Sequence, residues 1–284
     1  MKVRKPCVAD AFYAGTKGEL VKQITECFTH QFGPGSVPKT DPHGPRRIVG
    51  IVSPHAGYVY SGPVAANGYS KLAADGKPDA FIILGPNHTG LGSGLSIQTE
   101  GAWQTPLGIA EIDANLAKRI QKSSSIIDVD ESAHANEHSI EVQLPFLQFL
   151  YGDTTKFVPI CMMMQDLATC REIAKSIVQE TAGKNVAIIA SSDFTHYESQ
   201  ESANRKDRGA IDAILKLDDE HLNELGESNR VTMCGYGPIT TLMVVAKLLT
   251  GVRPELLAYK TSGDITGDKS AVVGYSSLLF SRKQ

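Results

Sequence analysis

FIILGPNHTG, residues 81–90, decides how the rest of the chain is read. Phe81 to Leu84 form a short continuous apolar run, as expected of a strand buried on both faces, and Gly85, Pro86 and Asn87 break it and deliver a histidine, His88. Two other apolar runs end the same way. IVGIVSPH (48–55) reaches His55, and VAIIASSDFTH (186–196) reaches Asp193 and His196. In an open parallel sheet the carboxyl ends of the strands lie along one edge, and ligands bind in the crevice there. Parallel pairing of these three strands would bring their polar exits together at one site.

Outward from these runs, hydrophobic period and turn residues alternate between β and α patterns. This predicts an α/β fold: a single three-layer αβα domain over residues 1–284, its central sheet largely parallel or mixed and covered on both faces. Strands are expected at 47–53, 79–85, 95–99, 156–163, 185–192, 255–261 and 271–280. Helices are expected at 17–28, 61–74, 113–122, 137–151, 166–182, 201–216, 219–226 and 237–250. Ser61 and Asp166 stand where N-caps belong, and TGVRP (250–254) reads as a helix stop. The Gly- and Pro-rich stretch 32–47 reads as an irregular connection, too early in the chain to separate two domains.

Composition narrows the function classes. The 284 residues are 42% hydrophobic and 21% charged, as in ordinary soluble globular proteins. A formal net charge of -3, with no block of Lys and Arg interleaved with aromatics, argues against nucleic acid as a partner. The opening MKVRKPCVADAFYAG has no apolar run after its charges, and no window approaches eighteen apolar residues, so no membrane association and a cytoplasmic location are expected. Five cysteines without a C-x-x-C pair suggest neither a disulfide framework nor a zinc knuckle. Cys161 and Cys170 are expected to be small buried hydrophobes.

A lone histidine after a strand is usually a loop residue bonded to backbone; three such exits in one sheet weaken that reading. Two neutral imidazoles on rigid strand ends, with a third ligand, make a site for a divalent transition metal. A carboxylate as third ligand would suit non-haem iron, and a thiolate would suit zinc, copper or iron; spacing leaves the choice open. In HANEHSIEVQLPFLQFL (134–150), His134 and His138 stand one helical turn apart with Glu137 and Glu141 beside them. The order differs from H-E-x-x-H, so Glu137 is expected to complement a helix dipole, and His138 and Glu141 to line the crevice. Cys234 precedes a Gly-Tyr-Gly-Pro turn that opens an apolar helix, a position where the helix dipole would favour the thiolate. The loop around Asp264 and Asp268 reads as a turn, a phosphate cradle or a lid, and with no P-loop or G-x-G-x-x-G no nucleotide cofactor is expected.

Six motifs in order carry a family resemblance: SPHAGYVYSG (53–62), LGPNH (84–88), NEHSIEVQLPFLQ (136–148), SSDFTHY (191–197), MCGYGPI (233–239) and TSGDITGDKSAVVGY (261–275). Together they resemble the Memo family, including its prokaryotic AmmeMemoRadiSam members. That family's fold is similar to class III extradiol dioxygenases, non-haem iron enzymes that open catechol rings, and its animal members were first known as cell-motility effectors able to bind phosphotyrosine peptides. The resemblance implies metal ligands at His55, His88 and Cys234, with Asp193 and an acid-base His196 completing the catalytic groups. Tyr58 and Asn87 are expected to line the pocket with His138 and Glu141. It also implies a functional link to a radical SAM protein. The dioxygenases use a carboxylate where this chain offers Cys234, which softens the site toward Cu or a redox-active Fe(II) and puts ring cleavage in question.

The leading expectation is thus a metal-dependent redox protein with Fe(II) or Cu as cofactor. Its alternatives are a non-catalytic module binding a small molecule or peptide in the same crevice, and a metal store or donor. Cys234 as the nucleophile of a hydrolase ranks behind redox chemistry, since no G-x-S-x-G elbow is present.

Overall fold

The computed structural model describes residues 1–41, 43–152 and 155–283. Its strands are β1 (Val3–Arg4), β2 (Ile48–Ser53), β3 (Ala80–Pro86), β4 (Leu95–Ile97), β5 (Ala102–Thr105), β6 (Gly108–Ile112), β7 (Asp128–Val129), β8 (Lys156–Met162), β9 (Val186–Ser191), β10 (His196–Glu198), β11 (Val252–Thr261) and β12 (Val272–Arg282). Its helices are α1 (Lys17–Thr29), α2 (Tyr58–Ala74), α3 (Ala114–Ser123), α4 (Ser132–Ala135), α5 (Leu144–Tyr151), α6 (Leu167–Thr181), α7 (Gln200–Leu215), α8 (Asp219–Glu227), α9 (Tyr236–Leu249) and α10 (Ser262–Thr266).

The strands order as β1-β5-β6-β8-β3-β9-β2-β12-β10, with β11 on β12 and with β4 on β8 and β7. From β6 to β2 every neighbouring pair is parallel, and β12 turns the sheet antiparallel at one side. The central strands β2, β3 and β9 are almost continuously buried, as strands covered on both faces must be. Consecutive residues of β2 show the two faces. A Cβ on Gly50 would meet Leu242 of α9, whereas Ile51 packs at Gly68 of α2. Helices α1, α2 and α5 pack together over the α2 face, and α3, α6, α8 and α9 over the other. The chain is therefore the three-layer α/β structure expected, with a mixed sheet.

Register brings the carboxyl ends level: Ser53 lies beside Ser191, and Leu84 beside Ala190. The three polar exits do converge.

Local departures have local causes. The helix expected over 137–151 is instead a turn following α4, a 3-10 turn at Glu141–Gln143, and then α5. Ser61 is no N-cap, since α2 begins a turn earlier at Tyr58, whose N–H donates to the Phe12 carbonyl, and the Ser61 hydroxyl donates back to Ala56 O. Asp166 does cap α6, accepting from the Thr169 N–H at 3.0 Å. The described residues of the 32–47 connection hold turns and no helix or strand; Pro42 lies outside the described residues. Asp264 caps α10 in a capping box. Among the described residues no helix is long and apolar enough to cross a membrane.

Candidate metal centre

Each ligand candidate is carried by a rigid end. His55 leaves β2 through Ser53-Pro54, and His88 leaves β3 after Pro86. His138 stands in the turn after α4, and Cys234 just ahead of the N-cap Gly235 of α9. One nitrogen from each of His55, His88 and His138 fits within 4.8 Å of the others, so the three could hold a metal ion. The ring centroids lie 5.2 Å apart for His55 and His88, 5.4 Å for His55 and His138, and 4.5 Å for the stacked His88 and His138.

Behind the rings, hydrogen bonds fix which nitrogen is free. Ser191 Oγ donates its one proton to Ser139 O at 2.7 Å, so toward Gln143 Nε2 and His55 Nδ1, each at 2.8 Å, it accepts. His55 therefore carries its proton on Nδ1 and presents a lone pair at Nε2. That Nε2 lies 3.1 Å from Cys234 Sγ. His88 Nδ1 lies 2.9 Å from Glu137 Oε1, and its backbone N–H donates to the other oxygen, Oε2. A carboxylate behind a ligating histidine sets its tautomer and raises its basicity. Glu137 also accepts from the Ser139 N–H at 2.8 Å and lies 3.5 Å from His138 Nδ1. It is thus no dipole partner of a helix. Burial alone would push its carboxyl up, but the bonds from His88 and the backbone hold it down to about 2.

The electrostatics keep the His55 and His138 rings neutral. Burial and then the neighbouring His88 lower His138 to about 4, and His55 is driven well below its ordinary value by burial and by His88, His138 and His196. Cys234 departs from expectation: burial and the Asp193 carboxylate push its thiol well up, outweighing the helix dipole. Asp193 is buried and accepts from the His55 N–H at 2.8 Å. Burial raises its carboxyl to about 6, against the His55 bond and the charges of His196 and His88. His196 Nδ1 lies 2.8 Å from the Thr232 carbonyl, which can only accept, so its Nε2 is the open nitrogen.

The remaining expected residues tie the walls together. Tyr58 is buried and donates to Val142 O at 2.7 Å. Asn87 accepts from the Thr89 and Gly90 N–H groups, shaping the loop after His88. Glu141 pairs with Arg4 at 2.6 Å and accepts from Tyr13 and the Cys7 and Val8 N–H groups, latching residues 4–13 across the site. The latched segment packs Phe12 against His138, with ring centroids 4.7 Å apart and the planes tilted. Glu137, Ser191, Gln143, Thr232 and Phe12 were not foreseen as site residues; Glu137, Ser191 and Gln143 lie inside the motifs quoted above, whereas Thr232 and Phe12 carried no sequence signal.

The family model described as Memo-like protein matches residues 4–279. A MEMO1 family protein of Methanopyrus kandleri is 50% identical, covering 98% of this chain and 99% of that relative. One from Methanothermobacter thermautotrophicus is 46% identical over 97% and 99%. The solved structure of an uncharacterized protein, JW3007 from Escherichia coli K12, matches with a TM-score of 0.52 at 13% identity, covering 82% of this chain and 99% of that one. That likeness concerns the fold alone.

Proposed function

The chain belongs to the Memo family, and from that premise we propose that its crevice binds Fe(II) or Cu through His55, His88 and Cys234, with His138 beside them, for redox chemistry on a small substrate. The observation that carries this is the paired tautomer control: Ser191 behind His55 and Glu137 behind His88 each leave Nε2 as the free donor. The donor set suits the metal. Neutral imidazoles need lose no proton to ligate, and a thiolate favours Cu or a redox-active Fe over hard cations.

Bound there, the metal would supply a Lewis acid and a redox centre through which electrons from an oxidisable substrate could pass to oxygen. Cys234 gives up a thiol proton on joining the ligands, so affinity rises with pH. His196 accepts a substrate proton at Nε2 while Thr232 O holds its Nδ1–H. Phe12 and the latched segment carrying it shield the His138 side of the crevice from water.

Anaerobically purified protein, wild type beside His88→Ala, is loaded with Fe(II) and separately with Cu(I) and analysed for metal. Near-stoichiometric metal in wild type and its loss in the variant are expected. No metal in either folded protein overturns the proposal. Stoichiometric metal without oxygen uptake in the presence of catechols or reductants would keep the site and replace the redox reading by metal handling.

A further inference from the structure

A cavity of about 480 Å³ lies at the other edge of the sheet, where β2 and β9 begin and β12 ends. On the order of 17 Å of β2 separates it from the histidines. Arg46, Arg47, Lys184 and Arg282 line it, and no acidic residue does, in a chain whose net charge is -3. We propose that this cavity is a second ligand site, built for the phosphate of a small organic phosphate.

The cations are arranged against their own repulsion. Arg282 donates its backbone N–H to Arg47 O at 3.0 Å, placing two like charges on adjacent strands, an unfavourable pairing unless an anion lies between them. Neither side chain makes a hydrogen bond or ion pair among the described residues. The neighbouring carboxylate, Asp75, cannot serve them. It accepts from the Arg47 and Ile48 N–H groups at 2.8 and 2.9 Å and from Arg46 Nη1 at 2.8 Å. Arg46 is also fixed by Asn185 Oδ1 at 2.6 Å, on a backbone held at φ 51°, a conformation costly for an arginine and kept because both partners grip its guanidinium.

Charge selects the ligand. Asp75 neutralises Arg46, which leaves three cations. The carboxyl ends of α6 and α9 reach the cavity at Thr181 and Leu249 and together amount to about one negative charge. Lys184 already donates to the Glu180 carbonyl at 2.8 Å, so Arg47 and Arg282 are the cations left to meet a phosphate, which arginine binds bidentately. Size selects the rest: the volume is in the range of small-molecule sites and exceeds what inorganic phosphate fills. Val49, Ile188, Val245 and Leu249 offer the remaining volume an aliphatic floor for the body of the ligand.

Metal-free protein is titrated calorimetrically with AMP, glucose 6-phosphate, phenyl phosphate and inorganic phosphate. At least one organic phosphate is expected to bind more tightly than inorganic phosphate, and to weaken about tenfold or more in Arg47→Gln/Arg282→Gln with circular dichroism unchanged. His88→Ala should bind it as wild type does. Silence from all three organic probes at about 5 mM, or equal binding in the double variant, overturns the site. Loss of binding in His88→Ala would move the phosphate to the histidine crevice and overturn it too. Inorganic phosphate binding as tightly as the best probe overturns the role of the floor.

Discussion

Glu137 shows how much of a site can rest on one side chain. Its carboxylate is fully buried, yet it stays ionised because His88 donates to both of its oxygens and Ser139 adds a third bond. Glu137→Gln keeps the shape and removes the charge, and the amide can turn a donor toward His88 Nδ1, freeing that ring to take either tautomer. Metal affinity is expected to fall by about 10- to 100-fold, the usual effect of losing a carboxylate behind a ligating histidine. Competition against a calibrated chelator measures it. An affinity equal to wild type would mean that Glu137 only fills space. The residue was visible in the sequence beside His138, but its partner is 49 positions away in the chain, a relation that no local spacing encodes.

Elements place these residues, and at Gly235 two of them meet closely. A Cβ there would stand 2.3 Å from the Ser191 carbonyl oxygen and 2.7 Å from Ser192 Cβ, so the start of α9 approaches the end of β9 only because that side chain is absent. Gly235→Ala must push α9 outward, carrying Cys234 from His55 and Asp193. It is expected to destabilise the protein by about 2 kcal/mol or more, as overpacking does, and to lower metal content as well. Thermal unfolding and elemental analysis read the two effects. A variant with wild-type melting temperature and full metal would show that this approach can relax without consequence. Elements themselves were legible where period and apolarity agreed, as in β2, β3, β9 and α6. They were illegible where long-range bonds overrode local preference: NEHSIEVQ has helical period, but His88 pulls Glu137 and Arg4 pulls Glu141 into a turn and a 3-10 segment. The β5–β6 hairpin and the short β1, β7 and β10 escaped because two to five residues carry too little pattern to register.

Over the whole molecule, the arrangement of the sheet was readable because one simple rule governs it: parallel strands end together, so three apolar runs ending in His55, His88 and Asp193–His196 define an edge before any contact is known. What the sequence could not give was the balance of buried charge that the assembled fold creates, and that balance sets the response to acid. Burial holds His134 and His138 at about 4 and keeps His55 well below its ordinary value, whereas histidines of the unfolded chain take protons near 6.5. As pH falls below that value, the unfolded chain binds protons that the folded chain refuses, so stability is lost, by about 2 kcal/mol each for His134 and His138 by pH 5. Asp193 acts with the opposite sign, since its folded carboxyl, raised to about 6, takes a proton before the unfolded one does. One aspartate offsets only part of three histidines. Glu137, held down to about 2, adds a further loss only below its ordinary range near 4.5. His134 isolates the effect from the metal ligands: Arg4 faces it and opposes its protonation, while Asp130 and Glu137 favour it, and burial exceeds all three. For metal-free protein the denaturant midpoint is expected to drop clearly between pH 7.5 and pH 5. The isosteric His134→Gln should drop less over the same interval, whatever its stability at pH 7.5. Equal midpoints at the two pH values in wild type would show that these rings are not held neutral. An unchanged interval in His134→Gln would show that His134 takes its proton in the folded chain as readily as in the unfolded one.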